Sequence, residues 1–252
     1  MLRSLKELVN FKVRGSDGDI GRVRDFFFDD ARWVVRYLVA DTKSFWQEPH
    51  DVLISPISFR EADWVTREFH LALTVDKVKK SPRITDHKPV SRQFEQEYSR
   101  YYGWPYYWGT DGIWGQWQYP AELAANSEFN LPEDTGSDDP HLRSIGEVEG
   151  YHILALDEEI GHVDDFIVDD ETWTIRYLVV DTRNWWPGKK VLLAPLWVDQ
   201  ISWAENNVTV SVPREAIRNS PAWEPGQPVN REYETRLYDY YGRPVYWTDP
   251  KR

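Results

Sequence analysis

The chain contains no cysteine. That absence excludes disulfides, thiolate nucleophiles and cysteine-based zinc sites. It also has no run of the roughly 20 consecutive apolar residues that a membrane-spanning helix needs. The opening stretch Met1-Leu2-Arg3-Ser4-Leu5-Lys6-Glu7 has no apolar core of the kind a secretory leader carries, so a cytoplasmic protein is expected. Basic runs are scarce as well; the densest is Lys77, Lys79, Lys80 and Arg83. The formal net charge is -12 and the pI about 5.0. Nucleic-acid affinity rests on cations neutralising phosphates, so no nucleic-acid partner is expected. The same sign argument disfavours docking on an anionic membrane.

Catalytic signatures are missing too. There is no G-x-S-x-G nucleophile turn, no G-x-x-x-x-G-K-[ST] phosphate loop and no H-E-x-x-H zinc pair. The six histidines, His50, His70, His87, His141, His152 and His162, do not recur at matched positions of the repeat described next. No catalytic residue, cofactor or metal ligand is assigned on these grounds, and a non-enzyme is expected.

What the chain does have is self-similarity. Residues 20–42 read IGRVRDFFFDDARWVVRYLVADT and residues 160–182 read IGHVDDFIVDDETWTIRYLVVDT, with 14 identities in 23 positions. The match starts near LRSLKELVNFKV at residue 2, paired with LRSIGEVEGYHI at residue 142. The offset is 140 at first and becomes 139 after a one-residue loss in a loop. It runs on through Val52-Leu53-Ile54-Ser55-Pro56 with Val191-Leu192-Leu193-Ala194-Pro195, and ends on KPVSRQFEQEYSRYYGWPYYW with QPVNREYETRLYDYYGRPVYW. The organisation expected is repeat 1 at 1–109, a linker at 110–141 and repeat 2 at 142–252. The linker has two characters: residues 111–120 read DGIWGQWQYP, and residues 132–140 read PEDTGSDDP. The acidic half suits a flexible tether, whereas the tryptophans of the first half are expected to pack back on a folded unit.

Within a repeat, strands dominate. FFFDDARWVVRYLVADT is two β-rich runs around the polar turn Asp29-Asp30-Ala31-Arg32, which predicts a hairpin. Both faces of its second strand are apolar, so that strand should be central. A further hairpin is expected over 63–75 and again over 202–212, and a short helix over Pro213–Arg218. The last quarter changes period. Phe94, Tyr98, Tyr101 and Tyr102 form one helical stripe, matched by Tyr233, Leu237, Tyr240 and Tyr241. Ser91 and Asn230 are placed as N-caps and Gly103 and Gly242 as stops. Such a stripe is expected to dock on its own barrel.

The G-x-V-x-D-F segment followed by WVVRYLVADT or WTIRYLVVDT, with PLWVDQISWAENNVTVSVPREAIRNSP downstream, resembles the PRC-barrel family. The resemblance covers most of each repeat. It implies a mainly β fold: two tandem small PRC-barrel-like β-barrels, each with a C-terminal α-helix. It also implies a docking role, with proteins of a larger complex binding the barrel surface, and no catalytic residues. The strand WxxRYLVVDT looks most like the cytoplasmic domain of the photosynthetic reaction-centre H subunit. The chain departs from that protein in lacking its membrane anchor, and from the ribosome-maturation branch in lacking its N-terminal partner domain.

Three functional readings follow. The first is a non-enzymatic protein-interaction or assembly module with protein partners. The second is a soluble relative of the H subunit in photosynthetic complex assembly or electron transport. The third is a metal-dependent enzyme using the repeated aspartates Asp25, Asp29, Asp30 and Asp41 with Asp165, Asp169, Asp170 and Asp181. Oxygen-rich clusters bind divalent cations, yet aspartates in tight turns more often bond their own backbone. Partner contacts are expected at the ring-bearing loops: Phe45 and Trp46, Trp185 and Trp186, and Trp114 and Trp117. A duplicated surface also suggests an intramolecular pseudo-dimer or a homo-oligomer.

Overall fold

The structure is a computed structural model, and it describes residues 1–83, 90–110, 112–125, 142–182 and 188–248. Repeat 1 gives β1 (Leu2–Ser4), α1 (Leu5–Leu8), β2 (Lys12–Arg14), β3 (Asp19–Asp29), β4 (Val34–Asp41), β5 (Val52–Ile54), β6 (Phe59–Asp63), β7 (Glu68–Leu71), α2 (Val75–Lys79) and α3 (Arg92–Tyr102). The segment between the repeats adds α4 (Pro120–Ala125). Repeat 2 gives β8 (Leu142–Ser144), α5 (Ile145–Val148), β9 (His152–Leu154), β10 (Glu159–Asp169), β11 (Ile175–Asp181), β12 (Lys190–Leu193), β13 (Val198–Ser202), β14 (Asn207–Val210), α6 (Arg214–Asn219) and α7 (Arg231–Tyr241). The chain is mainly β, as its alternating and doubly apolar runs predict. No helix among the described residues is long and apolar enough to cross a membrane.

The chain folds into two compact units. The N-terminal unit holds Leu5–Glu147 and Asp169–Thr174; the C-terminal unit holds Met1–Ser4, Val148–Val168 and Ile175–Arg252. These differ from the repeat boundaries at 1–109 and 142–252. The first strand of each repeat is exchanged: β8 pairs with β3 in the N-terminal unit, and β1 pairs with β10 in the C-terminal unit. In the N-terminal unit the ladder is Phe27 with Ser144, Phe28 with Arg143 and Asp29 with Leu142. Two short side-chain bonds seal the exchange. Ser144 Oγ donates to Asp25 at 2.5 Å in one unit, and Ser4 Oγ donates to Asp165 at 2.5 Å in the other.

Each sheet has seven strands, and in the N-terminal unit their order is β5-β4-β3-β2-β7-β6 with β8 added on β3. The long strand β3 serves three partners. It carries β4 along one side, β2 at its start and β8 at its end. Bulges between Val23 and Asp25 and between Phe27 and Phe28 bend it; the counterpart β10 bulges between Val163 and Asp165 and between Ile167 and Val168. A bulge sharpens the local twist, so one strand can follow a curled sheet. No ladder among the described residues joins β5 to β6. A 3-10 turn, Pro56–Ser58, bridges that gap, with Ser55 capping it and the Ala72 amide donating to Ser58 O at 2.8 Å.

The expected hairpin tips form, with a Trp where a glycine would be easier. Trp33 and Trp173 both sit at positive φ, 57° and 60°. A bulky left-handed residue costs roughly 1–2 kcal/mol. Burial of the ring offsets this: Trp173 is buried and stands against Phe26, Phe59 and Phe69 of the N-terminal unit.

The helical stripe docks locally, as expected. Tyr98 is buried, donates to Leu53 O at 3.0 Å, and meets Tyr37 edge-on at 5.1 Å. In α7 the buried pair is Leu237 and Tyr238, while Tyr240 is 41% exposed. Ser91 and Asn230 cap their helices by accepting from the amides three residues on, and Gly103 and Gly242 close them in the left-handed conformation. Helix α6 starts one residue after the sequence signal, with Pro213 as its N-cap.

Gly21 and Gly161 lie inside strands β3 and β10, where a side chain would be the ordinary choice. A Cβ there would overlap the carbonyl oxygen of Asp41 or of Asp181. Both obstacles are backbone and cannot swing aside. Gly21→Ala and Gly161→Ala are each expected to lower stability by about 1–3 kcal/mol in urea unfolding.

Candidate functional site

A buried charged cluster sits where each terminal helix meets its sheet. In the N-terminal unit, Glu95 of α3 is fully buried. Tyr37 from β4 donates to its Oε1 at 3.3 Å, and Tyr107, beyond the helix, donates to the same oxygen at 2.5 Å. Arg92, one helical turn earlier, donates to Oε2 at 2.9 Å. The C-terminal unit repeats the arrangement. Tyr177 and Tyr246 each donate to Glu234 Oε1 at 2.8 Å, and Arg231 pairs with Oε2 at 3.0 Å. Burying a carboxylate is costly unless donors replace its water; here three donors from three chain segments do so.

An arginine completes each cluster. Arg36 is fully buried, donates to Asp29 at 3.1 Å and to Ile113 O at 2.6 Å, and lies between the rings of Tyr107 at 3.8 Å and Trp114 at 4.7 Å. Its counterpart Arg176 lies over Tyr246 at 4.3 Å. A guanidinium stacks well on aromatic faces because it is planar and weakly hydrated. Desolvation pushes the Glu95 carboxyl up to about 7, against the lowering pull of Arg92, the Tyr107 hydroxyl and Arg36. Burial also holds the Tyr37 and Tyr107 hydroxyls well above their ordinary range.

A carboxyl near neutrality is a recognised mark of active sites. Here its acceptors are taken by side chains of its own unit and it is fully buried, so no substrate atom reaches it. The arrangement can lock a helix to a sheet. Sequence reasoning passed over Glu95 and Glu234, because glutamate on a helix is ordinarily solvated. The available signal was the shared Arg-x-x-Glu spacing, Arg92 to Glu95 and Arg231 to Glu234, kept in both repeats.

The repeated aspartates are spent on turns and strand junctions. Asp25 accepts from the Phe26 and Gly146 amides as well as from Ser144. Asp29 accepts from the Ala31 and Arg32 amides and pairs with Arg36. Asp41 accepts from the Lys43 amide, Asp165 from the Phe166 amide and Asp169 from the Glu171 amide. Among the described residues no three histidine or acidic side chains converge as a metal site would need.

The ring-bearing loops divide. Phe45 and Trp46 are half-buried; both amides donate to Thr42 O, and the Trp46 ring lies 5.2 Å from His50. Trp185 and Trp186 lie outside the described residues. Trp114 is fully buried, with its indole N–H donating to Thr172 O at 2.8 Å. It is a core residue and offers no surface for a partner; the expectation that the Trp-rich segment packs back on a unit holds for it. Trp117, bonded to Trp114 through the backbone in both directions, is half-buried. Large apolar side chains do stand exposed elsewhere. In the C-terminal unit they include Leu156 at 64% and Leu196 at 54%.

Residues 141–217 match the PRC-barrel domain family, a span that runs from the exchanged strand β8 into α6. No curated protein matches the chain.

Replacing Glu95 with Gln tests the buried carboxyl. Between about 4.5 and about 7 the folded chain keeps a proton that the unfolded chain has released. Stability from this group therefore falls as pH rises across that window and is level above it. The unfolding free energy of the parent chain minus that of Glu95→Gln is expected to drop on the order of 3 kcal/mol from about pH 4.5 to about pH 7.5. A difference independent of pH would show the carboxyl to be ionised throughout.

Proposed function

We propose that this protein is a non-enzymatic interaction or assembly module built on PRC-barrel architecture. One observation carries the reading. In the segment that matches the family, two large apolar side chains, Leu156 and Leu196, stand exposed among charged ones. The buried ionisable groups, by contrast, are tied into the unit that holds them. A surface of that kind gains by excluding water against another protein. The acidic balance of the chain, with net charge -12, directs it to proteins rather than to nucleic acid.

Support also comes from how polar chemistry is distributed. An enzyme needs titratable groups that reach a substrate. The perturbed groups here, Glu95 with Tyr37 and Tyr107, meet each other instead. The repeated aspartates hold backbone amides in place.

The full chain, tagged and kept at native abundance in its source cells, should be fixed with a short cross-linker and sedimented. A defined protein partner in fixed stoichiometry is expected, with cross-links to the C-terminal unit. A chain that sediments alone at 29.8 kDa, without intermolecular links, would contradict the proposal.

A further inference from the structure

Both repeats build the same short helix after their β6–β7 or β13–β14 hairpin, but they charge it differently. In the N-terminal unit α2 is capped by Thr74, whose hydroxyl accepts from the Lys77 amide, and is anchored by the fully buried Val78. Tyr101 of α3 donates to Lys77 O at 2.6 Å. In the C-terminal unit α6 is anchored by the fully buried Ile217, and Tyr240 of α7 donates to Ala216 O at 2.9 Å. Each helix is left through a Ser-Pro pair, Ser81-Pro82 or Ser220-Pro221. The scaffold is thus the same in kind.

Helix α2 and its exit carry Lys77, Lys79, Lys80 and Arg83, all exposed. The matching positions of repeat 2 are Ala216, Arg218, Asn219 and Ala222. A cation near a helix C-terminus interacts favourably with the backbone dipole. Arg218 alone supplies that in α6, so the other three positive charges are not needed to build this helix. They are also held in place: Lys77 Nζ lies 5.8 Å from the Tyr102 ring and Lys79 Nζ 5.9 Å from the Trp46 ring. The one carboxylate on the helix, Asp76, pairs with Lys80 at 2.7 Å. The cluster runs against the composition of the chain, since residues 110–252 hold 26 Asp and Glu against 12 Lys and Arg.

We propose that the cationic face of α2, formed by Lys77, Lys79, Lys80 and Arg83, docks a short acidic segment of a partner protein. Charge complementarity selects this occupant. At physiological ionic strength a charge is screened within about 8 Å, so a ligand seated on α2 feels these four cations rather than the net charge of -12. An extended polyanion such as a duplex or a bilayer would reach past the helix onto neighbouring carboxylates, among them Asp17, which accepts from the Val75 amide at 2.7 Å. A short segment would not. Holding two of the lysines against rings lowers the entropy lost when they are fixed. The proposal rests on the reading of the protein as an interaction module and gives that module a contact on the N-terminal unit.

The test titrates a fluorescently labelled hexaglutamate peptide into the full chain. Saturable binding is expected at about 50 mM salt, weakened about tenfold or more at about 300 mM as the screening length falls. Lys77→Glu, Lys79→Glu and Lys80→Glu combined should weaken it about tenfold or more, with the urea midpoint of that chain showing it folded. Changing the same three lysines to arginine should keep the parent affinity. Absence of saturation at about 1 mM peptide, or binding indifferent to the charge reversal, would overturn the assignment. So would phosphatidylserine vesicles or an oligothymidylate occupying the face in preference to the peptide, because it would then be a site for phosphate. The cross-linked partner separates the two levels. If the charge-reversed chain retains it while the peptide fails to bind, this face is refuted and the module reading stands. If the peptide binds as described while the parent chain sediments alone, the module reading falls and the face keeps its affinity for acidic segments.

Discussion

A buried carboxylate held by two tyrosine hydroxyls is the interaction on which the rest of each unit depends. Glu95 and Glu234 lie on helices, but their donors come from a central strand and from the segment after the helix. A carboxyl group without those donors could not stay inside, given the cost of desolvating it. Helix, strand and following segment must therefore arrive together. In the N-terminal unit Tyr107 then serves twice, as donor to Glu95 and as one face of the stack on Arg36. The layer that buries Trp114 is built on that stack.

A second constraint is topological. Each compact unit takes its first strand from the other repeat, so β1 meets β10 and β8 meets β3. The N-terminal unit also takes the hairpin tip Asp169–Thr174, with Trp173 in its core. Neither unit is assembled from one uninterrupted stretch of chain. Pairings of such wide sequence separation carry a loop-closure cost before their contacts form. A duplicated sequence has been turned into two units that depend on both copies.

Much of this was legible in the residues. The doubly apolar strand VVRYLV does lie inside a sheet, between β3 and β5, and the caps at Ser91, Asn230, Gly103 and Gly242 mark helix ends because their local geometry needs no distant partner. The strand exchange was not legible, for a definite reason. β1 and β8 are the same tripeptide, Leu-Arg-Ser. Each fits either long hairpin equally well, so pattern alone cannot say which one it joins. Trp114 packs back on a unit as expected, but its reading as a partner contact does not survive its burial, because the arginine that it stacks on lies 78 positions away in sequence. Asp29, Asp41 and Asp169 act as turn formers as read, since an Asp side chain reaches the amides of its own turn whatever the tertiary fold, whereas the distant serine partners of Asp25 and Asp165 were not legible.

The clasp can be measured in the C-terminal unit. Tyr177→Phe and Glu234→Gln, alone and together, form a double-mutant cycle read by chemical unfolding of the full chain. If the hydroxyl and the carboxylate hold the helix to the sheet, the two changes are coupled by about 1–3 kcal/mol. Additivity to within about 0.5 kcal/mol would contradict the account, because it would leave Glu234 buried for some reason other than its tyrosines.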